Sequence, residues 1–153
     1  VTVNGKMIGK EIDFLPSLGV VIEKPGFIEN YNQFDNLKYL AQINNIIDDK
    51  KIIEVIHRVG LDINNKEKVK TFSLGMRQRL AIAQAIMEDQ KIIILDEPFN
   101  GLDKNGCNQI KNLLMELKSP NRLILLTSHI EGDIDSLSDY IFEFSDGKIS
   151  LVK

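Results

Sequence analysis

Apolar positions along the chain change period more than once, and each change predicts a different element. Residues 18–22 (LGVVI) form a short, β-branched apolar run that suits a buried strand, and Lys24-Pro25-Gly26 stops it. Residues 1–4 read as the end of a strand that turns at Asn4-Gly5. From Asp35 the spacing is helical. Leu37, Leu40 and Ala41 share one face, and Ile52, Ile53, Ile56 and Val59 repeat that face in a second helix ending at Gly60. The mostly polar stretch 44–50 joins the two, and a lysine-rich polar connector covers 61–71. A third helix is expected from just after Ser73 to about Met87, with Leu80, Ala83 and Met87 as its stripe.

The last third alternates. Ile92–Leu95 predicts a strand, Ile110, Leu113, Leu114 and Leu117 mark a helix, and 123–127 predicts another strand. A short helix is expected over 130–137. Residues 140–144 and 148–152 then pair as a hairpin around Asp146-Gly147. Strand–helix–strand alternation calls for a parallel sheet with crossover helices, into which the helical run 35–71 is inserted. The expected class is α/β with a helical lobe.

Composition narrows the function classes. A length of 153 residues suits one domain, and 43% hydrophobic with 27% charged residues is an ordinary globular balance. The 19 basic and 22 acidic side chains leave a net charge of −3, without the footprint of a nucleic-acid binder, so no nucleic acid partner is expected. The single Cys107 excludes an internal disulfide framework and a multi-cysteine metal cluster, and points to a reducing cytoplasm. It reads as a helix residue without chemistry of its own. The longest apolar runs fall far short of the roughly 20 residues of a spanning helix. No basic leader precedes a long apolar run in residues 1–20, so a signal peptide is not expected.

Four segments carry candidate chemistry. The apolar strand Ile92–Leu95 ends in Asp96-Glu97-Pro98, which puts two carboxylates at the carboxyl end of a parallel sheet, where such folds bind ligands. Asp96 is suited to Mg²⁺, a hard ion that takes oxygen ligands, and Glu97 to polarising a water. The plainer alternative is two acids that merely end a strand. In FSLGMRQRL (72–80), Ser73 suits an N-cap and Gly75 lets a phosphate approach the helix start, with Arg77 and Arg79 adding charge nearby. A capped helix without ligand is the alternative there. Asn100-Gly101-Leu102-Asp103 follows the acidic pair, and His129 lies just past the strand 123–127. His57, on the second helix, reads as surface or lobe packing.

In this order and spacing the four segments resemble the nucleotide-binding domain of ATP-binding cassette (ABC) proteins. They are similar to its signature motif (72–76), Walker B strand (92–97), D-loop (100–103) and switch histidine (His129). The resemblance covers essentially the whole chain. It implies a P-loop NTPase-like parallel sheet with crossover helices and an inserted helical subdomain, truncated at the N-terminus. Residues 27–87 would be the helical and signature subdomain, and 1–26 with 88–153 the α/β core of a partial nucleotide-binding domain. It also implies ATP and Mg²⁺ as cofactors, Asp96 as the Mg²⁺-ordering residue, Glu97 as general base and His129 as a contact to the γ-phosphate. Ser73 and Gly75 would bind the γ-phosphate held by a second, facing ATPase domain, with Asp103 at the dimer seam.

Two departures and one absence qualify the resemblance. Leu74 and Met76 stand where the signature usually has glycine and glutamine, and Glu23 stands at the Q-loop glutamine, where a carboxylate still reaches Mg²⁺ or its waters. No GxxxxGK[ST] loop occurs, although it supplies the backbone cradle and lysine for the β- and γ-phosphates. The chain therefore reads as the later part of an ABC ATPase, inactive alone. The stretch 19–26 (GVVIEKPG) and FSLGM look similar to ATPases of peptide-antibiotic export and lantibiotic immunity. The implied function is to power export of a small molecule or antibiotic peptide through a transmembrane permease, from the cytoplasmic face of the membrane. Phe27, Ile28, Tyr31 and Phe34 either face that permease or pack the lobe against the sheet. A soluble ABC-type ATPase and a non-catalytic binding module are the alternative readings.

Overall fold

A computed structural model describes residues 1–3, 5–22, 25–129, 132 and 134–153. Its centre is a three-stranded parallel sheet in the order β3 (Leu18–Val21), β4 (Ile92–Leu95), β5 (Leu123–Leu126). A small antiparallel hairpin at the start of the chain, β1 (Thr2–Val3) with β2 (Lys6–Met7), stands apart from this sheet. Asn4, half of its predicted turn, lies outside the described residues. The parallel register aligns Val21, Leu95 and Leu126, so all three strands end level at one edge. Whatever follows each strand is delivered to that edge.

Between β3 and β4 run the helices α1 (Gln33–Asn44) and α2 (Asp49–Arg58), a short 3₁₀ turn (Val69–Thr71) and α3 (Leu74–Ile86). Each α-helix opens on a side chain that accepts a free backbone N–H. Asn32 accepts from Asp35, Asp48 from Lys51 and Ser73 from Met76. α4 (Lys104–Leu117) crosses from β4 to β5 and is capped by Asp103. α1, α2 and α4 begin three or more residues before their first apolar stripe residue, because their opening turns are polar, whereas α3 starts just after Ser73 as expected.

α3 lies unusually close to the sheet. A Cβ built on Gly19 of β3 would meet the Ala85 carbonyl oxygen at 1.8 Å. The absent side chain is what lets the helix backbone touch the strand. One buried cluster continues from Leu37, Ile52 and Ile56 through Leu80 and Ile82 to Ile93, Leu95 and Leu114, so lobe and sheet share a core.

On the other side of the sheet β5 has no strand beside it among the described residues. Leu123 and Leu125 are 50% and 48% exposed there. The final hairpin, β6 (Phe142–Ser145) with β7 (Lys148–Leu151), forms a separate sheet. Between it and β5 lies an apolar space of about 1020 Å³, lined in part by Leu123, Leu125, Leu137, Phe142 and Phe144. The helix predicted over 130–137 is not formed in its described part: 134–137 are turns, while Ile130, Glu131 and Asp133 lie outside the described residues.

Candidate functional site

The level ends of the three strands assemble the candidate site. Asp96 continues β4 by one residue, with its N–H donating to the Val21 carbonyl at 2.8 Å, and Thr127 continues β5, donating to the Leu95 carbonyl at 3.0 Å. The next residue, Glu97, leaves the strand with φ 48°, a left-handed conformation that costs free energy in any residue with a Cβ. Four hydrogen bonds surround this turn. The Glu97 N–H donates to Thr127 Oγ1 (3.0 Å), and the Thr127 hydroxyl donates to Asp96 Oδ1 (2.6 Å). The Glu97 carbonyl accepts from the Asn100 N–H (3.1 Å) and from Gln78 Nε2 of α3 (3.3 Å).

Held in this way, Glu97 directs its carboxylate at the histidine. His129 Nδ1 lies 2.9 Å from Glu97 Oε1. The structure thus brings Asp96, Glu97 and His129 together on one edge, while Glu23 lies outside the described residues. Among the described residues no group of three His, Cys, Asp or Glu side chains is arranged to hold a metal by itself. Mg²⁺ commonly takes only one or two carboxylates and completes its shell with water and substrate phosphates, so Asp96 suits the ion beside a nucleotide.

Ser73 and Gly75 occupy a second location, the start of α3. Ser73 Oγ accepts the Met76 N–H at 3.2 Å. A Cβ on Gly75 would meet the Gly101 carbonyl oxygen at 2.8 Å, and one on Gly101 would meet Leu74 Cγ at 2.5 Å. The helix start and the 100–103 loop therefore rest directly on each other. Asp103, at the end of that loop, is occupied locally: its Oδ1 accepts the Gly106 N–H at 2.9 Å.

The two arginines near this helix start need correction, since both are engaged elsewhere. Arg77 meets Glu29 with both terminal nitrogens, Nη1–Oε1 at 2.8 Å and Nη2–Oε2 at 2.7 Å. That paired bond holds the Glu29 carboxyl below its ordinary range and raises the Arg77 guanidinium above its own. Arg79 donates to the Val59 carbonyl at the end of α2 and to Gln109 Oε1 of α4. Arg77 therefore ties parts of the lobe together and Arg79 ties the lobe to α4, rather than adding free charge for a phosphate.

Thr127 and Gln78 are the residues that sequence reasoning missed. Thr127 carries one detectable signal, a hydroxyl ending an apolar strand two positions before His129. Gln78, between Arg77 and Arg79, carries none, and only the structure shows that it is buried.

Comparison with known proteins agrees with this architecture. The family profile described as ABC transporter matches residues 1–100. An uncharacterized ABC transporter ATP-binding protein of Bacillus subtilis, YybJ, is 42% identical over 149 residues, covering 97% of this chain and 68% of the relative. The lantibiotic transport ATP-binding protein SrtF of Streptococcus pyogenes is 37% identical, covering 91% and 60%. The bacitracin transport ATP-binding protein BcrA of Bacillus licheniformis is 39% identical, covering 90% and 45%. The chain thus spans about half to two thirds of the length of these relatives. Among solved structures, the dimeric bacterial ABC transporter cassette MJ0796 superposes with a TM-score of 0.76 at 20% identity, over 90% of this chain and 63% of that one. At that identity the likeness establishes the fold.

Proposed function

This chain belongs to the ABC transporter family of ATP-binding proteins, and from that premise we propose that residues 1–153 are the later part of an ATP-hydrolysing unit that powers export through a membrane permease. The observation that carries the reading is the 2.9 Å contact of His129 with Glu97 beside Asp96 at the carboxyl edge of the sheet. In this role Glu97 takes a proton from the water that attacks the γ-phosphorus of ATP, as the bond to the bridging β–γ oxygen breaks. His129 contacts the γ-phosphate and steadies that water. Mg²⁺, when bound, neutralises charge on the β- and γ-phosphates, with Asp96 and Glu23 as the residues that would hold it. Ser73 and Gly75 act on the nucleotide of a facing ATPase domain, and Asp103 lies at that seam. The packing of Gly75 on Gly101 supports a shared face for the two segments.

The phosphate-binding loop would come from polypeptide outside these 153 residues. Support comes from the absence of GxxxxGK[ST] here and from the open edge of β5, whose exposed leucines and adjoining apolar space suit a further strand. The substrate class, a small molecule or an antibiotic peptide, draws support from relatives named for lantibiotic and bacitracin transport. A permease partner would put the unit on the cytoplasmic face of the membrane. No helix of the described residues is long and apolar enough to cross it. Within the unit, residues 27–87 serve as the helical lobe, and 1–26 with 88–153 as the core.

Two measurements test the reading. Residues 1–153 alone are expected neither to bind ATP tightly nor to hydrolyse it, and turnover abolished by Glu97→Gln would refute that part. The longest polypeptide its gene encodes is expected to hydrolyse ATP and to co-fractionate with membranes. Turnover without membrane association would favour a soluble ABC-type ATPase. No turnover at all would favour a non-catalytic binding module, a reading against which the assembled Asp96, Glu97 and His129 weigh.

A further inference from the structure

Thr127 carries a single hydroxyl, and that hydroxyl is engaged twice. It accepts the Glu97 N–H at 3.0 Å and donates to Asp96 Oδ1 at 2.6 Å, a length typical of a hydroxyl bonded to a carboxylate. A threonine hydroxyl offers one proton and two lone pairs, so both bonds coexist without competing. Its own backbone is fixed by the ladder bond to Leu95.

These bonds have a consequence for the reacting groups. Glu97 is in a left-handed conformation at φ 48°, which persists only where its surroundings over-determine it. Gln78 and Asn100 hold the carbonyl end of that residue, and Thr127 is the group that holds its N–H. The same hydroxyl orients the Asp96 carboxylate. The Thr127 hydroxyl is thus the one side-chain oxygen that bonds both to the Asp96 carboxylate and to the Glu97 backbone.

We infer that Thr127 is a positioning residue for ATP hydrolysis, setting the Asp96 carboxylate and the Glu97 backbone relative to one another; the inference rests on the hydrolytic reading above. Valine is the informative replacement, since it keeps the β-branched shape suited to a strand end and removes the hydroxyl. Serine restores the hydroxyl without the methyl.

The test is steady-state ATP turnover of the longest encoded polypeptide with Thr127→Val, Thr127→Ser and, as a control, Glu97→Gln. A displacement of about 1 Å in a reacting group can cost on the order of 100-fold, so Thr127→Val is expected to lower kcat roughly tenfold or more. The KM for ATP should change much less than kcat, since the hydroxyl's bonds are to the protein groups Glu97 N–H and Asp96 Oδ1. Thr127→Ser should recover most of the loss. Amide exchange at Glu97 should be faster in the valine variant than in the wild type or the serine variant. Wild-type kcat in Thr127→Val, or equal impairment in Thr127→Ser, would overturn the positioning role while Glu97→Gln remained inactive. Full turnover in Glu97→Gln, or none in the wild type, would instead overturn the hydrolytic reading and this inference with it.

Discussion

His129 and Glu97 meet across the ends of adjacent parallel strands, with Nδ1 2.9 Å from Oε1, although they lie 32 positions apart in the sequence. The level register of β4 and β5 produces this contact, because Leu95 pairs with Leu126 and each strand then delivers its polar residues to one edge. A shift of one residue would carry the histidine away from the carboxylate.

The contact leads to the first expectation. In the longest encoded polypeptide, Glu97→Gln should lower kcat by about 10²–10⁴-fold, the usual contribution of a positioned general base. His129→Ala should also lower kcat, and the double variant should lose much less than the product of the two single losses, because groups acting as a unit are non-additive. Turnover measured for the four proteins of this cycle decides the matter. Strictly multiplicative losses would mean that the two side chains act separately.

Gly19 supplies an expectation about stability. A methyl group there would overlap the Ala85 backbone at 1.8 Å, and backbone has no rotamer into which to retreat. Gly19→Ala should therefore push α3 away from β3 and destabilise the fold by on the order of 2 kcal/mol or more. Gly26→Ala, where a Cβ meets nothing within 4 Å, serves as the control. Urea midpoints of the two variants should differ clearly, and equal midpoints would show that the helix yields without cost.

The ease with which these elements could be found in the sequence differs for physical reasons. Stripes such as Ile52, Ile56 and Val59 announced α2, yet its true start at Asp49 lies in a polar first turn that only the cap Asp48 marks. The predicted helix over 130–137 had apolar residues at suitable intervals, but Ile134 and Leu137 line the apolar space beside β5 from turns instead. At the site, acidic residues after a buried strand were visible as a pattern. The roles of Thr127 and Gln78 were not, since both bind the backbone of Glu97 and depend on strand register and helix placement. Arg77 looked like free charge because its partner, Glu29, lies 48 positions away.

The Glu29–Arg77 pair implies a pH dependence whose sign is fixed. The Glu29 carboxyl is lowered chiefly by its hydrogen bonds from Arg77, against the opposing effect of desolvation, with the charges of Arg77 and Lys70 adding to the lowering. A carboxyl lowered in the folded state contributes stability above its unfolded value and loses it as pH falls through the folded value. Arg77 stays charged throughout, so acidification removes the pair by protonating Glu29. Carboxyl titration followed by NMR should place Glu29 below ordinary glutamates, and Arg77→Met should return it to their range. Because the pair is exposed, added salt should weaken the effect. A Glu29 midpoint unchanged by Arg77→Met would remove the arginine as its cause.

The aromatic loop before α1 divides in the structure, and the division sharpens how a permease contact can be tested. Phe27 and Phe34 are partly buried against the core, whereas Ile28 and Tyr31 are 38% and 42% exposed. The loop is pinned from beneath, since Asn36 Oδ1 accepts the Ile28 N–H at 2.8 Å and the Tyr31 carbonyl accepts the Val69 N–H at 2.9 Å. An exposed apolar pair on a fixed backbone suits contact with another protein, because little side-chain or loop entropy is lost on docking. Ile28→Ala with Tyr31→Ala should therefore weaken co-purification with the permease while leaving Tm nearly unchanged. Phe27→Ala should lower Tm first, as partial burial makes it part of the lobe packing. Equal co-purification by the folded Ile28/Tyr31 double variant would assign the whole loop to packing and remove it as the site of the proposed permease contact.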